Sequence, residues 1–410
     1  MKGRFRIVGT AIALWVVASL CWAAQEAKEP PYKPDANYKP SRDLSQFFAK
    51  IKAGRPVTIM GIGGSVTEGH SWAAMSAEWL QKQYPNQQIR YVDAALGGRG
   101  PDLAVFRFRR DMLPQHPDLV LIEYLVNSYS EKEQNYKALD GMVLQLLRQD
   151  QKPDIVFVYV GDKGGPSGLA KDPATGRPYP WSWFAAPDAL VKVQPLARHY
   201  GFQEVDVRSY LQGLIDDGKI KWEEFARDPI HPVKRGHAIY AELVIELFKQ
   251  QAVLADRPTP EPPVPAPYSS DEWATAAQLP IAALHFGNEW KVVTPLPPLA
   301  PFMDELIETD RPGATVTVTA NTTTFGMYRI MTDDGGRLAW SIDGGKETEF
   351  NLRTRDPKGR VWFDERIFQS NLAPGKHTLR LRVLPKEEKS LGNMVRIGSI
   401  FVTNPKPVRQ

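Results

Sequence analysis

An α/β domain on a parallel sheet, with an all-β sandwich behind it, is the architecture written into this sequence. From Pro56 to about Lys249, short β-branched runs alternate with longer amphipathic stretches, the signature of βαβ crossovers and a sheet covered on both faces. Between Leu254 and Tyr268 stand Pro258, Pro260, Pro262, Pro263, Pro265 and Pro267, which disfavour helix and strand pairing and mark a boundary. Beyond them the hydrophobic pattern alternates residue by residue and is punctuated by turn signals.

In the first half, strands are expected at Val57–Ile62, Ile89–Val92, Leu119–Tyr124, Ile155–Val160 and Phe202–Val205. Helices are expected at Trp72–Gln83, Asp102–Met112, Tyr136–Arg148, Ala189–Tyr200 and Gly236–Lys249, with Pro195 expected to kink or shorten the fourth. The unbroken apolar run Leu119-Val120-Leu121-Ile122 fits a central strand buried on both sides. In the second half, Ala314–Thr319, Leu338–Ile342, Thr378–Val383 and Val395–Val402 read as strands, and Asp343-Gly344-Gly345 as a hairpin turn. The resulting map is a signal segment (1–24), a polar tether (25–45), an α/β domain (46–254), a proline-rich linker (255–270) and a jelly-roll-like sandwich (271–410).

The 410 residues suffice for two or three domains, and 42% hydrophobic with 24% charged side chains is ordinary globular composition. Lys2, Arg4 and Arg6, an apolar run from Ile7 to Leu20 and small residues around Ala23-Ala24 form an export signal. The run is short for a hydrocarbon core, so no stable membrane insertion is expected after its removal, and the product is secreted or periplasmic. Without this segment 48 basic side chains face 47 acidic ones, a balance that leaves no footprint for nucleic acid. Cleavage near Ala24 also removes Cys21, the single cysteine, and with it disulfides, thiolate catalysis and cysteine zinc sites.

The first strand runs into Gly61-Ile62-Gly63-Gly64-Ser65-Val66-Thr67-Glu68-Gly69. That places Ser65 on a glycine-flanked turn at the carboxyl end of a parallel strand, where open α/β sheets bind ligands. Alone, such a turn is equally a phosphate cradle or plain loop, although it lacks the Gly-Lys-Ser/Thr ending and the glycine spacing of nucleotide loops. Three later segments supply what acyl transfer needs. Ala94-Ala95-Leu96-Gly97-Gly98-Arg99-Gly100 offers an unobstructed backbone N–H, and Asn127 offers a side-chain amide donor. Asp228-Pro229-Ile230-His231-Pro232 puts a carboxylate beside an imidazole on one loop.

These four segments, in this order and at these separations, resemble the four blocks of the SGNH (GDSL-like) hydrolase superfamily over about residues 55 to 250. The resemblance implies a three-layer, flavodoxin-like α/β/α fold and a serine hydrolase acting on ester bonds. It assigns Ser65 as nucleophile, Asp228 and His231 as the base pair, and Ser65, Gly98 and Asn127 as oxyanion donors. Three departures stand out: Gly64 replaces a common aspartate, although a Gly-Gly-Ser variant also resembles members of the superfamily, Leu125 replaces a common glycine, and Ser128 a common aspartate; a bulkier Leu125 would favour a small acyl group such as acetyl.

Other candidates are weaker. Trp181 and Trp183 lie in a Gly- and Pro-rich insertion, where they either stack on sugar rings or pack within their loop. Arg99 either binds an anionic sugar or pairs with Asp102, the second being favoured. Trp290, Trp340 and Trp362 are sugar platforms or, more commonly in sandwiches, core residues. His70 and His237 receive no role, Glu68 and Glu123 are the remaining acidic groups near the site, and no metal or cofactor is expected. The expected function is an exported serine esterase deacetylating a carbohydrate or polysaccharide through an acyl-enzyme. Alternatives are a polysaccharide O-acetyltransferase, a lipase- or thioesterase-like acyl hydrolase, and a noncatalytic glycan-binding protein.

Overall fold

The computed structural model describes residues 37–127, 133–160, 189–297, 299–354, 360–388 and 391–403. The signal segment, most of the tether, Trp181 and Trp183 lie outside the described residues.

The first half folds as expected into a parallel sheet of five strands: β1 (Val57–Gly63), β2 (Ile89–Asp93), β3 (Leu119–Glu123), β4 (Asp154–Tyr159) and β5 (Gln203–Asp206), in the order β2-β1-β3-β4-β5. All five residues of β3 are buried, as its apolar run requires. One face carries α1 (Ser45–Lys52), α2 (Trp72–Gln83) and, beyond the sequence-distant last strand, a helix at Lys234–Ala252. The other carries α3 (Pro101–Arg107), α4 (Glu133–Leu147) and α5 (Ala189–His199). Two shorter helices, α6 (Val207–Asp216) and α7 (Trp222–Phe225), precede that last helix, α8. Chain order reverses direction across the sheet between β1 and β3, which opens a crevice at their carboxyl ends.

Several local expectations change. Pro195 does not break α5, because the buried Val193, Leu196 and Ala197 hold the helix against the sheet on either side of it. The helix expected to Met112 ends at Arg107 and gives way to a π turn over Phe108–Met112. Residues 38–44, read as the end of a spacer, are docked: Tyr38 donates to the Phe202 carbonyl at 2.8 Å, and Leu44 is fully buried. The proline-rich segment is likewise laid on the α/β unit, with Arg42 donating to the carbonyls of Pro262 and Pro263 at 3.0 and 3.1 Å.

The second half is all β, in antiparallel sheets. Its strands are β6 (Ala277–Leu279), β7 (His285–Phe286), β8 (Lys291–Val293), β9 (Leu306–Thr309), β10 (Thr315–Thr322) and β11 (Phe325–Met331). They are followed by β12 (Arg337–Ile342), β13 (Thr348–Asn351), β14 (Trp362–Gln369), β15 (Gly375–Val383), β16 (Val395–Ile397) and β17 (Ile400–Val402). The sheet β13-β12-β15-β10-β7 faces β14-β11-β17-β6, and Val316, Val318, Leu379 and Leu381 meet Phe325, Met327, Ile400 and Val402 between them. The Asp343-Gly344 turn has φ of 53° and 73°, the left-handed pair that a two-residue hairpin demands. Val395–Val402, expected as one strand, is two: Gly398-Ser399 breaks it, sending β16 and β17 into different sheets.

One hydrophobic cluster spans both halves, beside a second that lies within the β half. Phe106 of α3 stacks on Phe401 of β17 with centroids 4.6 Å apart and meets Trp273 at 5.2 Å. Arg107 lies 4.9 Å over the Phe302 ring from the opposite side of the same boundary.

Candidate active site

Ser65 sits two residues beyond β1, on a turn closed by Thr67 N–H and Glu68 N–H donating to the Gly64 carbonyl at 3.0 and 3.1 Å. Its Oγ lies 2.9 Å from His231 Nε2. The imidazole comes from the loop before α8, and its Nδ1 lies 2.8 Å from Asp228 Oδ2. A carboxylate accepts only, so Nδ1 carries the ring proton and Nε2 of the neutral ring is left to accept from the serine hydroxyl.

Asp228 is itself fixed. Its Oδ1 accepts from the N–H groups of His231 and Ile230 at 2.7 and 2.9 Å, and Trp222 Nε1 donates to its carbonyl at 2.9 Å. Burial would raise its pKa, but those two N–H groups and the imidazole outweigh burial and hold it below the ordinary aspartate range. The carboxylate therefore stays charged while the imidazole gains a proton.

The two remaining loops close around Ser65. Asp93, at the end of β2, accepts from Gly69 N–H at 2.7 Å and Ala95 N–H at 3.1 Å, tying the serine turn to the Gly97-Gly98 loop. A Cβ built on Gly97 would lie 3.6 Å from the Ser65 Cβ, and one on Gly100 would lie 2.8 Å from the Asn127 carbonyl oxygen. The loop thus runs between Ser65 and Asn127. Among the described residues none accepts from the Ser65 N–H, the Gly98 N–H or the Asn127 side-chain amide.

Two glycines make this possible. Gly98 takes φ +70°, which an L side chain adopts only with strain. A Cβ on Gly64 would stand 1.8 Å from Asn127 Oδ1. An aspartate at that position, common in SGNH sequences, would require the Asn127 side chain to move.

Glu123 has a place that its sequence position did not reveal. It ends β3 opposite Gly63, is fully buried, and accepts from Thr67 Oγ1 at 3.2 Å. Burial pushes its pKa up to about 7, against the opposing pull of Thr67 and of the Val126, Leu125 and Gly64 N–H groups. The carboxyl thus lies beneath both the Ser65 turn and the Asn127 turn. An acidic residue closing an otherwise unbroken apolar strand was the available signal.

The structure also settles lesser candidates. Arg99 does not pair with Asp102; its guanidinium donates to the carbonyls of Gly98 and Phe363. Leu125 is 1% exposed and belongs to the core, so its bulk does not set the width of an open acyl cleft. Trp290 is buried, with its Nε1 donating to the Thr315 carbonyl at 3.1 Å, and Trp340 is half-buried against Phe368. Trp362 is 41% exposed. His70 bonds Glu78 on the surface at 2.7 Å, and His237 is held below its usual pKa by burial and by His70, Arg227 and His231 nearby. The acidic Glu68 is exposed at the mouth, beside Gly97.

The architecture is a five-stranded parallel α/β unit followed by antiparallel β sheets, and it is shared with solved proteins. A solved structure of a two-domain esterase active on acetylated mannans, crystallised with mannopentaose, matches it at a TM-score of 0.73 and 19% identity, covering 90% of this chain and 97% of the other. A second crystal structure of a two-domain esterase active on acetylated mannans matches at 0.73 and 18% identity, over 90% of this chain and 97% of that one. At these identities the likeness is one of fold. No protein-family model matches the chain, and no curated protein matches its sequence.

Proposed function

We propose that this protein is an exported serine esterase that removes O-acetyl groups from a carbohydrate through an acyl-enzyme. The observation that carries the reading is the relay from Asp228 through His231 to Ser65 at 2.8 and 2.9 Å.

A serine hydroxyl is a poor nucleophile until a base takes its proton. His231 Nε2 accepts that proton as Ser65 Oγ bonds to the acyl carbon, and Asp228 stabilises the imidazolium that results. Charge builds on the carbonyl oxygen, which the N–H groups of Ser65 and Gly98 and the Asn127 amide receive. Each such donor is worth about 3 kcal/mol in comparable sites. As the carbon–oxygen bond to the sugar breaks, His231 gives its proton to the departing alkoxide. Water then attacks the acyl-enzyme with His231 again as base; acetate leaves and the serine is restored.

Support for a carbohydrate ester comes from the solved protein of the same two-unit fold, which acts on acetylated mannans. Support for export comes from the basic, apolar and small-residue order of positions 2–24; among the described residues no helix is long and apolar enough to cross a membrane. The test is hydrolysis of p-nitrophenyl acetate against butyrate and octanoate esters, with release of acetate from acetylated mannan alongside. The acetyl ester is expected to be the best of the three and Ser65→Ala to be inactive. Equal rates for wild type and Ser65→Ala refute the reading, and a preference for octanoate moves it to a lipase-like hydrolase.

A further inference from the structure

Arg99 follows Gly98, the glycine proposed above as an oxyanion donor, and all its described contacts bear on that glycine's turn or cross to the second half of the molecule. Its N–H closes the turn by donating to the Leu96 carbonyl at 3.2 Å. Its Nη1 donates to the Gly98 carbonyl at 3.2 Å, and its Nη2 to the carbonyl of Phe363 in β14. The guanidinium carbon stands 5.4 Å from the centroid of the Phe363 ring. A planar fork of several donors can hold two carbonyls in a fixed geometry and lie over a ring at once, whereas an ammonium is a rotatable point charge without that fork.

The far end of this link is rigid. Phe363 is 8% exposed and packs against Phe302 and Tyr328, with ring centroids 4.7 and 5.9 Å away. Tyr328 meets Phe401 at 4.8 Å, and Phe401 stacks on Phe106 of α3. The near end is soft by composition. Gly97-Gly98 are the central pair of the turn that Arg99 closes, and Gly98 has φ +70°. With glycine at both places the central peptide meets little steric resistance to rotation, and rotation would redirect the Gly98 N–H. An oxyanion donor acts only while its direction is held in advance of the reaction.

We infer that Arg99 is a positioning residue through which the C-terminal β unit holds the Gly98 carbonyl, and with it the turn that carries the Gly98 N–H, in its donating arrangement. The β unit is then part of the catalytic apparatus and not solely a means of presenting polymer. This inference rests on the proposed function and adds to it the element that keeps the oxyanion hole formed.

The test measures full-length Arg99→Ala and Arg99→Lys with p-nitrophenyl acetate, which has no sugar for a glycan contact to act on. Arg99→Ala is expected to lose about 10- to 100-fold in kcat, with KM within about twofold and a thermal midpoint close to wild type. Arg99→Lys, keeping the charge without the fork, is expected to recover only a minor part of that loss. Unchanged kcat in folded Arg99→Ala overturns the inference, as does a rise in KM alone, which would make Arg99 a substrate contact. Should Arg99→Ala not fold, Phe363→Leu leaves the carbonyl in place but removes the ring; its kcat is expected to fall about threefold or more, and a wild-type kcat overturns the inference. Wild-type protein without esterase activity removes the proposed function and this inference together, whereas an active wild type matched by an equally active Arg99→Ala removes the inference alone.

Discussion

Among the described residues two aspartate–histidine pairs, one in each half, are built almost alike. At Asp228 one carboxylate oxygen takes the His231 backbone N–H at 2.7 Å and the other its Nδ1 at 2.8 Å. At Asp343 one oxygen takes the Thr378 N–H at 2.8 Å and the other takes His377 Nδ1 at 2.6 Å. They differ at the remaining ring nitrogen. His377 Nε2 lies 2.6 Å from the Ala373 carbonyl, so both its nitrogens face acceptors and the protonated ring is favoured; Asp343 and then that carbonyl raise its pKa. His231 Nε2 faces the Ser65 hydroxyl, which can supply a proton to it. A carboxylate beside an imidazole is therefore a common device of structure, and the third partner makes it chemical.

The contrast is broken most severely at Asp228. In Asp228→Asn the amide presents a donor to Nδ1, the ring proton moves to Nε2, and the base is lost. The expected fall in kcat is about 10³-fold or more, read as acetyl-ester hydrolysis by folded protein. Gly64→Asp, which installs the residue common in SGNH sequences, should displace Asn127 and reduce kcat by about 10²-fold, and a tolerated aspartate would show that Asn127 does not need this position.

Glu123 gives a smaller effect, seen in stability. Its folded pKa of about 7 lies above the ordinary 4.5, so between those values the folded chain holds a proton that the unfolded chain has released. Raising pH through that window therefore costs stability, and Glu123→Gln should flatten the dependence in urea titrations taken at pH 5 and pH 8. An unaltered slope would place the titration elsewhere.

The smallest effect belongs to the second pair. Because the folded pKa of His377 is raised, its link to Asp343 stabilises most below the ordinary histidine pKa and fades as pH rises through the folded value. Asp343→Asn should leave kcat at wild type and lower Tm by roughly a degree or two at pH 5.5, with less change at pH 8.5.

The sequence carried the parallel sheet well, because a strand covered on both faces must be apolar throughout, as Leu119 to Ile122 are. It also carried Ser65, Asp228 and His231 to within reach of one another in the structure. That convergence follows from topology: loops at the carboxyl ends of adjoining parallel strands meet at the crevice. What stayed illegible was long-range. Nothing local to Arg99 indicates that its partner is a carbonyl 264 residues away, and Asp102, three positions on, looked like the natural mate. Gly64 read as a departure from a pattern until Asn127 was placed beside it. The docking of residues 38–44 and of the proline segment likewise depends on carbonyls and pockets of the α/β unit that no local pattern displays.

The central claim, that His231 makes Ser65 a nucleophile, is tested most directly by covalent trapping. Wild-type protein treated with a fluorophosphonate and analysed by mass spectrometry should carry a single adduct on the peptide containing Ser65. His231→Ala should label at least about 10²-fold more slowly at the same pH. An esterase-active wild type whose Ser65 stays unlabelled, or equal labelling rates for the two proteins, would contradict the account.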